Sequence, residues 1–82
     1  MKPDIFSPTE QKVLEVLGRK KMSISQITRA ILEGRTVFLA DQNHVAGAVR
    51  RINEKCERNN LSWFLNGIGS GRAGRVVWKE KR

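Results

Sequence analysis

Residues 43–79, NHVAGAVRRINEKCERNNLSWFLNGIGSGRAGRVVWK, decide the fold of this chain, because the spacing of their hydrophobic residues changes partway along the segment. The first part repeats apolar residues at positions i, i+4, i+7 and i+11, namely Val45, Val49, Ile52 and Cys56. At 100° per residue these side chains fall within about 60° of arc, which predicts a helix with one buried stripe. We expect this third helix to begin near Asp41 or Asn43 and to run to about Arg58.

The second part of this segment has the period of a β-strand. After Asn59 and Asn60, the apolar residues Leu61, Trp63 and Leu65 alternate with other residues. A glycine-rich stretch, residues 67–74, then separates this run from a second β-rich run at residues 75–79. Two such runs around a glycine-rich loop predict a β-hairpin at the end of the chain.

A capping signal predicts the first helix. Ser7 and Glu10 have the spacing of a capping box, and Pro8 stands at the first helical position. An apolar stripe follows, and Gly18 marks the expected end of the helix.

The same signal predicts a second, shorter helix. Ser23 and Gln26 form another capping pair, and the helix should end near Gly34 after about 10 residues. Met22 is a candidate for a short strand just before it. Residues 35–41 contain Val37-Phe38-Leu39, which fits either a short buried strand or an apolar loop, and the sequence alone leaves both open.

The order of helix, helix, helix and hairpin is that of a winged helix-turn-helix. The expected fold class is therefore α+β, a three-helix winged helix-turn-helix with a C-terminal β-hairpin wing. We expect one domain over residues 1–82, because a chain of this length supports a single small core.

Three stretches resemble the winged-helix effector domains of the OmpR/PhoB type: residues 6–17, residues 23–27, and residues 43–56 with the rhythm of that family's recognition helix. The resemblance implies DNA binding with the third helix in the major groove. The wing departs from the family by being longer and richer in glycine, and residues 1–82 contain no receiver domain, so the resemblance does not extend to phosphorelay control. The opening also resembles the LuxR/GerE-type helical domain, but the β-rich end of the chain argues against that design.

Charge favours a polyanionic partner, although a basic, solvated surface would have the same composition. The net charge is +8, and residues 42–82 carry nine basic and three acidic groups, against seven and five in residues 1–41. No apolar run is long enough to span a bilayer, and we expect a cytoplasmic, nucleoid-associated protein. With one cysteine, one histidine and no tyrosine, the sequence offers little for a zinc site or a nucleophile–base pair, so we expect no catalysis and no cofactor.

The candidate site lies on the face of the third helix opposite its apolar stripe. We predict that this recognition helix binds DNA through Asn43, His44, Gly47, Arg50, Arg51, Glu54, Lys55 and Arg58. Arg50 and Arg51 are the strongest candidates, because a guanidinium is able to make two hydrogen bonds to guanine or to bind a phosphate. Alternatively, they are exposed arginines that pair with Glu54 and Glu57. Gly47 permits close approach either to a groove or to the second helix.

The predicted wing supplies a second set of contacts. Arg72 and Arg75 flank the glycine-rich loop and suit the minor groove or the phosphate backbone, although a plain surface hairpin has the same composition. Trp63, Phe64 and Trp78 fit a buried core better than a platform for unpaired bases.

These patterns predict sequence-specific binding of double-stranded DNA by a transcriptional regulator or accessory factor, as a homodimer on DNA or tethered to a larger protein. The third helix would read the major groove while the wing holds the backbone or minor groove, with no membrane or small-molecule substrate involved. The alternative is a winged-helix adaptor that binds a protein or structured RNA and docks through Val37-Phe38-Leu39.

Overall fold

A computed structural model describes residues 5–69 and 74–81 of the chain. Three helices and three strands follow one another as α1 (Pro8–Leu17), β1 (Met22–Ser23), α2 (Ile24–Leu32), α3 (Leu39–Arg58), β2 (Trp63–Ile68) and β3 (Val76–Lys81). The predicted fold class is confirmed: three helices precede a C-terminal hairpin in a three-stranded antiparallel sheet, which is winged-helix topology.

Both predicted capping boxes are present. The Ser7 hydroxyl accepts from the Glu10 amide at 3.3 Å, and the Ser7 amide donates to the Glu10 carboxylate at 3.1 Å. Ser23 and Gln26 exchange the equivalent bonds at the start of α2. These local bonds satisfy amides that have no partner within the helix, which explains why both helices begin where the sequence predicted.

The third helix begins earlier than the sequence predicted. Its first residue is Leu39, whereas the expected start was Asp41 or Asn43, and Val37-Phe38 belongs to the loop before it. Asp41 is the third helical residue, and its carboxylate accepts from the Phe38 amide at 2.9 Å. Phe38 at the N-cap position has no side-chain oxygen, so the usual sequence signal for a start is missing.

The sheet places β3 between the other two strands. β1 pairs with β3 through Met22↔Val77, and β2 pairs with β3 from Trp63↔Lys81 to Ile68↔Val76. The predicted strand before α2 is confirmed. Both hairpin strands lie nearer the C-terminus than predicted: β2 is Trp63–Ile68 where residues 61–65 were expected, and β3 is Val76–Lys81 where residues 75–79 were expected.

A side chain from α3 covers part of the outer edge of β2. The Asn53 amide donates to the Leu65 carbonyl, and its oxygen accepts from the Leu65 amide, both at 2.7 Å. Asn53 therefore makes the two bonds that a neighbouring strand would make, and it fixes α3 against the hairpin.

The core lies between the helices and one face of the sheet. The four-residue stripe predicted on α3 is fully confirmed as buried, and Ala48 joins it. The other buried hydrophobic residues are Val13, Leu17, Ile24, Ile27, Leu65 and Val77.

The tryptophans divide between the two faces of the sheet, contrary to the expectation that both belong to the core. Trp63 packs on the core and on Phe6, with ring centroids 5.9 Å apart. Trp78 pairs across the ladder with Asn66, on the face opposite Leu65, and the Lys21 ammonium lies 4.9 Å from its ring. Side chains alternate along a strand, so Val77 occupies the core position and Trp78 faces the other way.

Candidate nucleic-acid interface

The side of α3 away from the core carries a line of residues that we call the α3 stripe. Its members lie at i, i+4, i+8, i+11 and i+15: Leu39, Asn43, Gly47, Arg50 and Glu54. At 100° per residue they fall within about 80° of arc, centred nearly opposite the buried stripe. All are exposed except Gly47, which is half-buried.

An open depression runs between the α3 stripe and the base of the hairpin. It encloses about 800 Å³, and its lining consists of Ile24, Asn43, Ala46, Gly47, Val49, Arg50 and Arg75. Three predicted recognition residues thus share one concave surface with a predicted wing residue. Small and apolar side chains form much of this surface, and two arginines supply its positive charge.

Two contacts fix Arg75 at the edge of this depression. Its carbonyl accepts from the Ile24 amide at 2.9 Å, which ties the start of β3 to the start of α2. Its guanidinium crosses over Gly67 of β2, where a Cβ atom would lie 2.7 Å from the Arg75 Nε atom. Glycine at position 67 therefore provides the space in which the Arg75 side chain lies.

A second group of charged residues, the Glu10 cluster, joins α1 to α3. The Glu10 side chain is only 2% exposed and receives Lys55 Nζ at 2.6 Å and Arg51 Nε at 3.2 Å. With the Ser7 amide also bonded to it, the carboxylate has three donors. Burial of a charge is costly unless it is paired and hydrogen-bonded, and this carboxylate is both.

The same contacts control the protonation of Glu10. Burial by itself raises the pKa of the carboxyl group, but bonds from Lys55, the Ser7 backbone, Arg51 and the Ser7 side chain outweigh it. The net result lowers the pKa from 4.5 to about 2. Glu10 is therefore ionised throughout the neutral and mildly acidic range.

The Glu10 cluster corrects the predicted placement of Arg51 and Lys55. Arg51 was expected on the exposed cationic face, with Glu54 and Glu57 as the alternative partners of the arginines, and Lys55 was expected among the residues that bind DNA. The structure instead directs both toward α1, where they neutralise a buried charge. Their side chains remain 42% and 27% exposed, so each keeps a surface that faces solvent.

The structure adds a role for Gly47 that neither sequence alternative contained. A Cβ atom at this position would lie 3.2 Å from Arg51 Nη1, so the glycine gives room to the arginine one turn later. Gly47 also lines the depression beside Arg50.

The remaining predicted residues lie around the stripe. His44 and Arg58 are exposed on α3. Helical geometry places Arg58 between the stripe and Arg51, and places His44 on the same side of the helix as Arg51 and Lys55, about two turns before Arg51. Arg72 lies outside the described residues. The role of Glu10 beyond capping was missed, although one signal was available: Glu10, Val13 and Leu17 have i, i+3, i+7 spacing, and all three are buried.

Compared with known protein families, curated proteins and solved structures, the chain gives no significant match. In residues 5–69 and 74–81, no helix is both long and apolar enough to cross a membrane. The same ranges contain no group of three or more histidine, cysteine, aspartate or glutamate residues placed to hold a metal ion. The interface is therefore assigned from its own geometry and charge.

Proposed function

We propose that this chain binds double-stranded DNA, with the α3 stripe in the major groove and the hairpin on the backbone or minor groove. The observation that carries the proposal is the depression in which Arg50 of the third helix and Arg75 of the hairpin border one concave surface. This arrangement agrees with the resemblance to winged-helix effector domains of the OmpR/PhoB type. It also agrees with the net charge of +8.

The dimensions of α3 suit this role. An α-helix with its side chains is about 10 to 12 Å across, and the major groove is about 12 Å wide and admits it. The 20 residues of α3 extend about 30 Å. Arg50 projects from the C-terminal half of the stripe, and its guanidinium is able to bond guanine O6 and N7 together. Asn43 lies one turn from Gly47 toward the N-terminal end of the helix. Residue types that read bases therefore occupy the stripe, while Arg58 and Arg75 lie nearer its borders and suit phosphates.

The Glu10 cluster changes the expected division of labour among the α3 cations. Arg51 and Lys55 already neutralise a carboxylate, so a phosphate competes with Glu10 for them, whereas Arg50 is not engaged in any described ion pair. We therefore propose Arg50 as the principal base-reading arginine and give Arg51 and Lys55 a smaller share of the affinity.

Salt dependence tests the proposal. With roughly four to seven phosphate contacts, log K against log[salt] should have a slope of about −4 to −6, and the pairing of Arg51 and Lys55 favours the shallow end of that range. Arg50→Ala should weaken binding to a duplex selected from random DNA by roughly 1 to 3 kcal/mol, which is about fivefold to 140-fold.

Lys12→Ala is the matched charge control. Lys12 is exposed on α1, two residues from Glu10, and therefore points about 160° away from the side that meets α3. Lys12→Ala removes one positive charge, as Arg50→Ala does. A loss of DNA affinity in Arg50→Ala that Lys12→Ala does not share therefore reports contact between Arg50 and DNA. A slope near zero, or no binding to any duplex at about 50 mM salt, is incompatible with the proposal.

A second candidate function rests on a different observation. Phe38 and Leu39 are 64% and 66% exposed at the start of α3, which favours a winged-helix adaptor that docks a protein or structured RNA there. Binding to a protein through such an apolar surface depends weakly on salt, whereas binding to duplex DNA depends on it steeply. The salt titration therefore separates DNA binding from docking to a protein, and competition between duplex DNA and structured RNA separates the two nucleic acids.

A further inference from the structure

The exposed apolar residues at the start of α3 are not used by the proposed contacts of Arg50 and Arg75. Three large hydrophobic side chains are strongly exposed in residues 5–69 and 74–81, and two of them, Phe38 and Leu39, are adjacent. The third, Ile68, is 67% exposed at the end of β2, in the hairpin. The adjacent pair lies in the α2–α3 connection and the first turn of α3.

Leu39 differs from Phe38 in its relation to the helix. Leu39 is the first helical residue and lies one turn before Asn43, so it extends the α3 stripe toward its N-terminal end. Phe38 is the N-cap residue and precedes the helical spiral. A ligand that lies along the stripe therefore meets Leu39, Asn43 and Arg50 in that order.

The surroundings of Leu39 identify the kind of surface that fits it. Arg35 precedes it in the loop, Arg50 follows it on the stripe, and both are exposed. The Arg35 Nε atom also donates to the Leu32 carbonyl at 3.2 Å. An exposed apolar side chain on a helix face that also carries an exposed arginine matches a partner that is anionic at its borders and locally apolar between them. The major groove of DNA has this pattern, because phosphates line both edges and each thymine places a C5-methyl group on the groove surface.

We infer that Leu39 reads a thymine, by packing against its C5-methyl group at one end of the DNA site. The inference rests on the proposed function and adds to it the base that Leu39 contacts and the position of that base relative to the base pair that Arg50 contacts. Leu39 and Arg50 are 11 residues apart, or about 16 Å along the helix, which corresponds to at most about five base pairs. The thymine should therefore lie within that distance of the base pair that Arg50 contacts.

The test removes one methyl group from the DNA. In a duplex selected from random sequence, each thymine is replaced in turn by deoxyuridine, which keeps the base pair and lacks the C5-methyl group. We expect at least one replacement to weaken binding of the parent chain by about fourfold, the value of one buried methyl-sized group converted at tenfold per ~1.4 kcal/mol.

Three variants identify the residue that senses the methyl group. Leu39→Ala should bind the thymine duplex about fourfold more weakly and should no longer distinguish it from the deoxyuridine duplex. Ile68→Ala, an equally exposed apolar residue on the hairpin, is the matched control and should keep the full discrimination. Phe38→Ala should also keep it, because Phe38 is outside the stripe.

The outcomes separate failure of the inference from failure of the proposed function. If the parent binds DNA with a steep salt slope but Leu39→Ala discriminates as well as the parent, DNA binding stands and the assignment of Leu39 is overturned. The assignment also fails if selection yields no sequence preference, or if Phe38→Ala abolishes the discrimination. The assignment is likewise overturned if Leu39→Ala weakens binding to anionic vesicles or to a partner protein but leaves binding to DNA unchanged, because Leu39 would then contact a membrane or a protein. If no duplex binds at all, the proposed function fails first.

Discussion

Replacing Glu10 by glutamine tests whether a buried carboxylate holds α1 and α3 together. Glutamine keeps the size of the side chain and the acceptor of the capping box, as Gln26 shows at the equivalent position of α2. It removes the negative charge that Lys55 and Arg51 neutralise at 2.6 and 3.2 Å. The substitution therefore isolates the ion pairs from the cap.

The size of the effect follows from the pKa of Glu10. The pKa of Glu10 falls from 4.5, the value for an unperturbed side chain, to about 2 in the folded protein. This shift corresponds to roughly 3 kcal/mol of stability at neutral pH. Lys55 and Arg51 are partly exposed and regain water when the carboxylate is lost, which lowers the cost. We expect Glu10→Gln to reduce the free energy of unfolding by about 2 to 3 kcal/mol at pH 7.

The pH dependence gives the sharper readout. Because the folded state depresses the pKa of Glu10, its contribution is present above pH 4.5 and is lost as the pH falls toward about 2. We propose to measure the free energy of unfolding of the parent and of Glu10→Gln in urea, by circular dichroism, at pH values from 7 to 2. The two free energies should differ at pH 7 and converge as the pH falls toward 2. Gln26→Glu, in the exposed capping box, is the control and should change stability by less than about 0.5 kcal/mol.

Equal stability of the parent and Glu10→Gln at pH 7 would refute this account. A stability difference that stays constant down to pH 2 would also refute it, because the loss would then come from packing and not from charge. The remaining acidic residues titrate in both proteins and cancel in the comparison.

Three further predictions concern the core, the sheet edge and the assembly. Ile52→Ala should lower the free energy of unfolding by about 2 to 5 kcal/mol, whereas Arg50→Ala should lower it by less than about 0.5 kcal/mol. Urea titration of both variants measures the two losses and tests whether Ile52 is a core residue and Arg50 a surface residue. Asn53→Ala should cost about 1 to 3 kcal/mol and speed hydrogen exchange at the Leu65 amide, and unchanged exchange would contradict the edge contact. Sedimentation with the selected duplex should show two chains on one DNA or require a tethering partner, because one domain on a half-site binds weakly; a tight 1:1 complex would contradict this.

The features that the sequence predicted are those decided by neighbours along the chain. The boxes of Ser7 with Glu10 and of Ser23 with Gln26 involve residues three apart, and the α3 core stripe follows from helical geometry alone. The hairpin was likewise evident from the change to a period of 2. Such features need no knowledge of which elements later pack together.

The features that escaped prediction depend on distant residues. Arg51 and Lys55 meet Glu10 across 41 and 45 positions of sequence, and nothing near them indicates that partner. The face of Trp78 depends on the pairing register, and two consecutive valines before it leave the phase of alternation undetermined. The candidate site was therefore predicted as a helix face, but the sequence did not separate the arginine on the stripe from the one held by α1.

The strand order has a consequence for how the chain acquires its fold. β3 lies between β1 and β2, yet it follows both in the sequence. Until residues 76–81 have been synthesised, β1 and β2 have no strand to pair with, and the buried position of Val77 is empty. The helices are able to form early from local contacts, whereas closure of the sheet joins residues more than 50 positions apart, from Met22 to Val77. Completion of the core therefore requires residues 76–81, and a chain that stops before Val76 leaves β1 and β2 without their pairing strand and leaves an apolar surface uncovered.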